Sequence, residues 1–334
     1  MKLIIALGLE KGALSLISGK KSKSNKCKMK KVLTSPSSMG QCGSEPFDLL
    51  RENGYEIINN PYGRKLTEDE VIEIAKDCVG IVAGVEPLTV RVMDALPQLK
   101  CISRVGVGMD SVDLDYAKQK GIIVCNTPEG PTRGVAELTL AMTLSLLRKI
   151  PQADAAMHQH QWKKQIGNLF LDKKIGIIGL GRIGRLVAEL FRGLKNPVIG
   201  FDPYANEQWA KENGVELMSF DDVLKNADIV TLHIPGNKDK SAVISEKELA
   251  MMKDGSFLIN IARGGVVNEI ALCEALKSGK LAGAAVDVYT KEPYDGPLCD
   301  LDNVILTPHL GSYAKEGKLK MEVDACQNLI DALK

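Results

Sequence analysis

The chain has 334 residues, 45% of them hydrophobic, 25% charged and only 4% aromatic, a length that predicts two domains with a buried core in each. Lys and Arg number 43 against 42 Asp and Glu, a formal charge of +1, which excludes a nucleic-acid binder working through a broad electrostatic field and a disordered, self-repelling chain. The charge is uneven: residues 1–31 hold nine Lys and one Glu, and the remainder holds 34 basic and 41 acidic residues. The basic segment 1–28 reads as a poorly ordered extension, or as an upstream start ahead of Met29. Its LIIALGL run is too short to cross a bilayer and is followed at once by Glu10 and Lys11, so no membrane association is expected. The eight cysteines form no C-x-x-C pair, and several, such as Cys101 and Cys125, stand inside apolar runs. They read as small buried hydrophobes of a reducing cytoplasm, not as a disulfide framework or a metal site.

From Met29 the chain alternates short apolar runs with amphipathic stretches. Strands are predicted at 31–34, 56–59, 79–84, 100–103 and 122–125, with helices at 45–53, 67–76, 90–96 and 114–120 between them. Such Val/Ile-rich runs separated by helices imply a parallel sheet covered on both faces. A long helix is expected from about Arg133 to Ile150, opened by the loop NTPEGPT. A second series of strands follows at 174–178, 198–201, 216–218, 228–233, 256–260, 283–287 and 304–306, and an amphipathic helix ends the chain. The prediction is therefore α/β, with two doubly wound parallel-sheet lobes.

The sharpest local pattern is Gly179-Leu-Gly181-Arg-Ile-Gly184. G-x-G-x-x-G alone is weak, but here it follows a buried strand, opens an amphipathic helix and has an acid, Asp202, just past the next strand. Gly179 suits the tight turn, Gly181 lets backbone approach a pyrophosphate, and Gly184 permits close helix–strand packing. Asp202 suits ribose hydroxyls and would repel a 2′-phosphate, with no positive charge at Pro203 or Tyr204, so NAD is expected rather than NADP.

Hydride transfer at a carbonyl carbon also needs a proton donor and a cation for the substrate. His158 and His160 lie two apart on a predicted helix and read as a solvated pair. His233 ends a strand at the cofactor edge, where a contact to NAD and a purely structural role are both open. His309 sits just past a buried strand in LTPHLGS, with Pro308 and Gly311 shaping an irregular loop around it.

From about Val79 onward the chain resembles the D-isomer-specific 2-hydroxyacid dehydrogenase family, with phosphoglycerate dehydrogenase-like members as the best match. The resemblance rests on ISRVGVGMDSVD, VAELTLAMTLSLLR, GLGRIG with GFDPY, ADIVTLHIP, NIARGGVVNE, AGAAVDVYTKEP and TPHLGS, in that order over about three-quarters of the chain. It implies a Rossmann NAD-binding domain at 130–308 and a flavodoxin-like substrate domain made of 29–129 and 309–334. By the same resemblance Arg263 would bind the substrate carboxylate, His309 would be the acid–base, and Glu292 would orient the imidazole. A formate dehydrogenase would carry glutamine in place of that glutamate. Val107 and Gly108 should line the substrate carboxylate. Arg182 and Ile183 should meet the pyrophosphate, and His233, Ile234, Pro235, Ile261, Ala262, Asp287 and Gly311 should border the rest of the cofactor.

The resemblance thins at the substrate. Family members acting on a phosphorylated acid commonly carry arginines in the loop after the third strand; here 83–89 reads AGVEPLT, with Glu86 and no arginine, and Ser111 replaces the usual asparagine. Arg104, or a lysine of a partner subunit, is left as a phosphate ligand. The implied partners are a small 2-hydroxy or 2-keto acid and a second copy in a homodimer, with no nucleic acid. No appended regulatory domain is expected. The other reading is an NADH-sensing, non-catalytic binding protein of corepressor type, which keeps the fold and the three polar residues.

Overall fold

The computed structural model describes residues 29–334 except 238 and 240; the extension expected over 1–28 lies outside the described residues. Two parallel sheets carry the chain. The first joins β1 (Lys30–Thr34), β2 (Tyr55–Asn59), β3 (Cys78–Ala83), β4 (Cys101–Arg104) and β5 (Ile123–Asn126) in the order β2-β1-β3-β4-β5. Its connecting helices are α1 (Glu45–Glu52), α2 (Glu68–Ile74), α3 (Val90–Ala95) and α4 (Leu114–Lys120). Their starts are written locally. Thr67 and Glu70 make a reciprocal capping box on α2, and Asp113 caps α4, which closes on Gly121 at φ 71°.

Strand side chains alternate between two cores, as the period of two demands. Leu33, Ile81 and Ile102 face α2, α3 and α4, while Val32, Val82 and Cys101 face α1 and the final helix, α12 (Lys315–Leu333). The chain thus returns to its first sheet at its end. Burial pushes the Cys78 thiol up to about 11 and those of Cys101 and Cys326 up to about 12, so these cysteines are protonated packing groups.

The second sheet has seven strands: β6 (Ile175–Ile178), β7 (Val198–Phe201), β8 (Val215–Leu217), β9 (Ile229–Leu232), β10 (Ser256–Asn260), β11 (Leu281–Val286) and β12 (Val304–Leu306). Their order, β12-β11-β10-β9-β6-β7-β8, is doubly wound about β6 and β9. On one face, α5 (Gly130–Arg148), α7 (Arg182–Gly193) and α8 (Glu207–Glu212) pack on Ile175, Ile177, Ile229, Phe257 and Ile259. On the other, α9 (Phe220–Asn226), α10 (Glu246–Met251) and α11 (Glu269–Lys277) pack on Ile178, Val230, Leu232 and Leu258. Among the described residues no helix is long and apolar enough to cross a membrane.

Two expectations need correction. The long helix starts at Gly130, inside the segment read as a loop, because Pro131 occupies the first turn, where a missing N–H costs nothing. It also stops at Arg148: Lys149 turns left-handed at φ 53° and Pro151 opens a separate helix, α6 (Ile150–His158). His158 therefore ends a helix and His160, at φ 58°, lies beyond it, so the two do not share one helix.

Candidate active site

The turn from β6 into α7 holds the glycine motif. Gly179 has φ 95°, and a Cβ there would sit 2.5 Å from the His233 carbonyl oxygen at the end of β9. A Cβ on Gly184 would lie 1.9 Å from the Gly179 oxygen, so helix and strand touch through backbone alone. Gly181, by contrast, faces open space, with nothing within 4 Å of a built Cβ. That combination leaves a backbone cradle at the N-terminus of a twelve-residue helix, at the point where the strand order reverses, which fits a dinucleotide pyrophosphate. Asp202, just past β7, accepts the Leu180 N–H at 2.8 Å through Oδ2 and the Tyr204 N–H at 2.8 Å through Oδ1. A carboxylate so held keeps lone pairs for ribose hydroxyls. The exposed Arg182 lies 3.5 Å from Glu129, and Ile183 packs at the edge of the α5–α7 core.

His233 is not satisfied. Its Nε2 lies 3.0 Å from the Thr231 hydroxyl, its Nδ1 is buried without a partner, and burial pushes its pKa down to about 3. A ring so held is neutral and unsuited to acid–base work. Ile234 touches the glycine turn through its side chain, and Pro235 follows it out of the sheet. Ile261 and Ala262, after β10, are buried.

The polar trio comes from three strand ends. His309 follows β12, and its Nδ1 lies 3.0 and 3.1 Å from the two Glu292 carboxylate oxygens. A carboxylate only accepts, so Nδ1 carries the proton and Nε2 is left free. Glu292, after β11, also accepts the Tyr289 N–H at 3.2 Å. Arg263, after β10, donates to the Ala262 carbonyl at 2.8 Å and lies 3.7 Å from Asp110 of the first lobe. A Cβ on Gly108 would be 3.1 Å from the guanidinium, so Gly108 lies directly against it. The Val107 carbonyl beside it accepts from the Asn126 amide at 3.0 Å.

Asp287 does something the sequence did not reveal. It is fully buried; Oδ1 accepts from the Thr307 hydroxyl at 2.6 Å and the Leu310 N–H at 2.7 Å, and Oδ2 from the Gly311 N–H at 2.8 Å. These bonds brace a loop in which His309 stands at φ 58°, a left-handed conformation unfavourable for a side chain.

A cavity of about 350 Å³ lies where the carboxyl edges of the two sheets face each other. His309 and Glu292 line it from the second lobe; Ser35, Glu86 and Arg104 line it from the first. Lys318 reaches it from α12, donating to the Ser38 carbonyl at 2.6 Å and pairing with the buried Glu322, which accepts the Gly40 N–H at 3.0 Å. Glu86, Lys318 and Glu322 were not foreseen as buried cleft residues. The i,i+4 spacing of Lys318 and Glu322 was the only signal for that pair.

The profile of the D-isomer specific 2-hydroxyacid dehydrogenase NAD binding domain matches residues 140–311, just over half of the chain. The chain belongs to the D-isomer specific 2-hydroxyacid dehydrogenases. Among its relatives, D-3-phosphoglycerate dehydrogenase of Archaeoglobus fulgidus is 38% identical over 295 residues, 87% of this chain and 55% of that protein. The Methanocaldococcus jannaschii enzyme of that name is 41% identical over 81% of this chain and 53% of its own length. The chain thus spans about half the length of the curated relatives it matches. D-lactate dehydrogenase from Aquifex aeolicus, solved with NAD and lactic acid, superposes with a TM-score of 0.76 at 30% identity, covering 91% of this dehydrogenase-family chain and 95% of that one.

Proposed function

We propose that this chain is an NAD-dependent D-2-hydroxyacid dehydrogenase in which His309 moves the proton, Glu292 orients it and Arg263 binds the substrate carboxylate. The observation that carries the reading is the His309–Glu292 pair at 3.0 Å, set in the cavity between the two sheet edges. Bound NAD would supply or accept the hydride at substrate C2. Gly179, Gly181, Arg182, Ile183 and Gly184 would hold its pyrophosphate and Asp202 its adenosine ribose. Ile261, Ala262, Gly311 and the 233–235 segment would border the nicotinamide half, where Asp287 would also reach the carboxamide.

The remaining steps belong to the protein. The Arg263 fork, backed by Gly108 and Val107, holds the carboxylate and polarises the C2 oxygen. His309 Nε2 donates a proton to that oxygen in reduction and takes it back in oxidation, while Glu292 fixes the tautomer. We assign 29–129 with 309–334 to the substrate lobe and 130–308 to the cofactor lobe; closure of the two excludes water. We further propose a homodimer in the cytoplasm. Residues 150–171 expose Ile150, Met157, Trp162, Ile166, Leu169 and Leu171, with Ile166 91% and Trp162 80% accessible, a surface suited to a second copy.

The test is NADH oxidation with a panel of 2-keto acids by the wild type and Arg263→Ala. Turnover that falls at least about a hundredfold in the variant supports the reading. Tight NADH binding without turnover of any keto acid overturns it in favour of the corepressor-type alternative.

A further inference from the structure

The first sheet reverses its strand order between β1 and β3, and open α/β sheets bind ligands at the carboxyl edge of such a switch point. Glu86 occupies that point. Ser35, directly after β1, donates its hydroxyl to Glu86 Oε1, and the Gly84 N–H, directly after β3, lies 3.1 and 3.0 Å from its two oxygens. The residue is 2% exposed and lines the cavity that contains His309. Its carboxylate, so fixed, keeps one oxygen with spare acceptor capacity. Arg104 lines the same cavity and is largely buried; its Nη1 donates to the Val105 carbonyl, while its Nε is buried without a partner. The two charges act on each other without forming a contact pair: burial drives Glu86 up and Arg104 down, and each opposes the other's shift.

An acceptor and a donor therefore face one cavity beside the acid–base histidine. A hydroxyl is the substituent that satisfies both, accepting from Arg104 and donating to Glu86. A phosphate satisfies Arg104 but meets the Glu86 carboxylate, and a methyl group satisfies neither. We propose that Glu86 is the specificity-determining residue of the cleft, and that with Arg104 it selects a 2-keto or 2-hydroxy acid bearing a free hydroxyl on the next carbon over its phosphorylated counterpart. This rests on the dehydrogenase reading above and names the substrate class within it.

The experiment measures kcat/KM for NADH-dependent reduction of hydroxypyruvate, phosphohydroxypyruvate and pyruvate by the full chain and by Glu86→Gln, which preserves shape. The wild type should favour hydroxypyruvate over each of the others by at least about tenfold. Glu86→Gln should raise the phosphohydroxypyruvate-to-hydroxypyruvate ratio at least about tenfold, since it removes the repelling charge and one acceptor. A general packing defect would lower both substrates together and leave the ratio where it was; that result overturns the proposal. So does a wild type that prefers the phosphorylated acid. Turnover of none of the three while another 2-keto acid is reduced overturns the substrate class proposed here, and turnover with an unmoved ratio overturns the role of Glu86. Only NADH binding without turnover of any 2-keto acid overturns the dehydrogenase reading itself.

Discussion

Asp287→Asn separates a brace from a cofactor contact. The buried carboxylate accepts from Thr307, Leu310 and Gly311 at 2.6–2.8 Å. An amide has one acceptor oxygen; whichever way it is turned, its NH₂ group faces the backbone N–H of either Leu310 or Gly311. At least one charge-assisted hydrogen bond is lost and a donor is left opposed to a donor, a loss of about 1.5–3 kcal/mol. For a lobe of about 180 residues, at about 2–4 °C per kcal/mol, that lowers Tm by roughly 3–12 °C. The left-handed backbone of His309 costs about 1–2 kcal/mol by itself, comparable to the bracing removed. The loop in the variant therefore relaxes, and the Nδ1–Glu292 contact at 3.0 Å is lost from much of the population. We expect kcat to fall at least about tenfold, part of the 10²–10⁴ that an aligned acid–base group contributes. The assay pairs thermal unfolding without ligand with steady-state turnover. A variant with unchanged Tm and kcat but weaker NADH binding would refute the brace and leave only the nicotinamide contact.

The glycine turn offers a paired test: Gly181→Ala should leave Tm within about 2 °C of wild type, because nothing lies within 4 Å of its Cβ, yet weaken NADH binding at least about tenfold by filling the pyrophosphate cradle. Gly184→Ala should damage both, because its Cβ would stand 1.9 Å from the Gly179 oxygen; calorimetry and fluorescence titration read the pair. His233, pushed down to about 3 by burial, is neutral in the fold while the unfolded chain takes up a proton near pH 6.5. Its contribution to stability is present above that pH and is lost as pH falls towards 3. His233→Gln should therefore move the acid-unfolding midpoint to lower pH, and an unmoved midpoint would contradict the burial argument.

Much of the architecture was legible because each strand is a continuous apolar run with a helix between, and β7, β10 and β12 fall at the residues expected from those runs. The helix start at Gly130 was not legible, since Gly and Pro inside NTPEGPT signal a loop unless the first helical turn is known. The structure places His309 Nδ1 3.0 Å from the Glu292 carboxylate. Individually, each residue reads equally well as a loop histidine or a turn glutamate, and only the resemblance joined them. The bracing by Asp287 and the burial of Glu86 were invisible because both depend on contacts between segments 20 or more residues apart. Nothing in AGVEPLT distinguishes a buried glutamate from a solvated one.

The proposed dehydrogenase activity turns on proton transfer by His309. Single-turnover hydride transfer from NADH to a 2-keto acid, compared between wild type and His309→Gln with the NADH dissociation constant measured alongside, tests it most directly. The variant rate should be lower by about 10²–10⁴ with NADH still bound; a rate within about threefold of wild type would contradict that role.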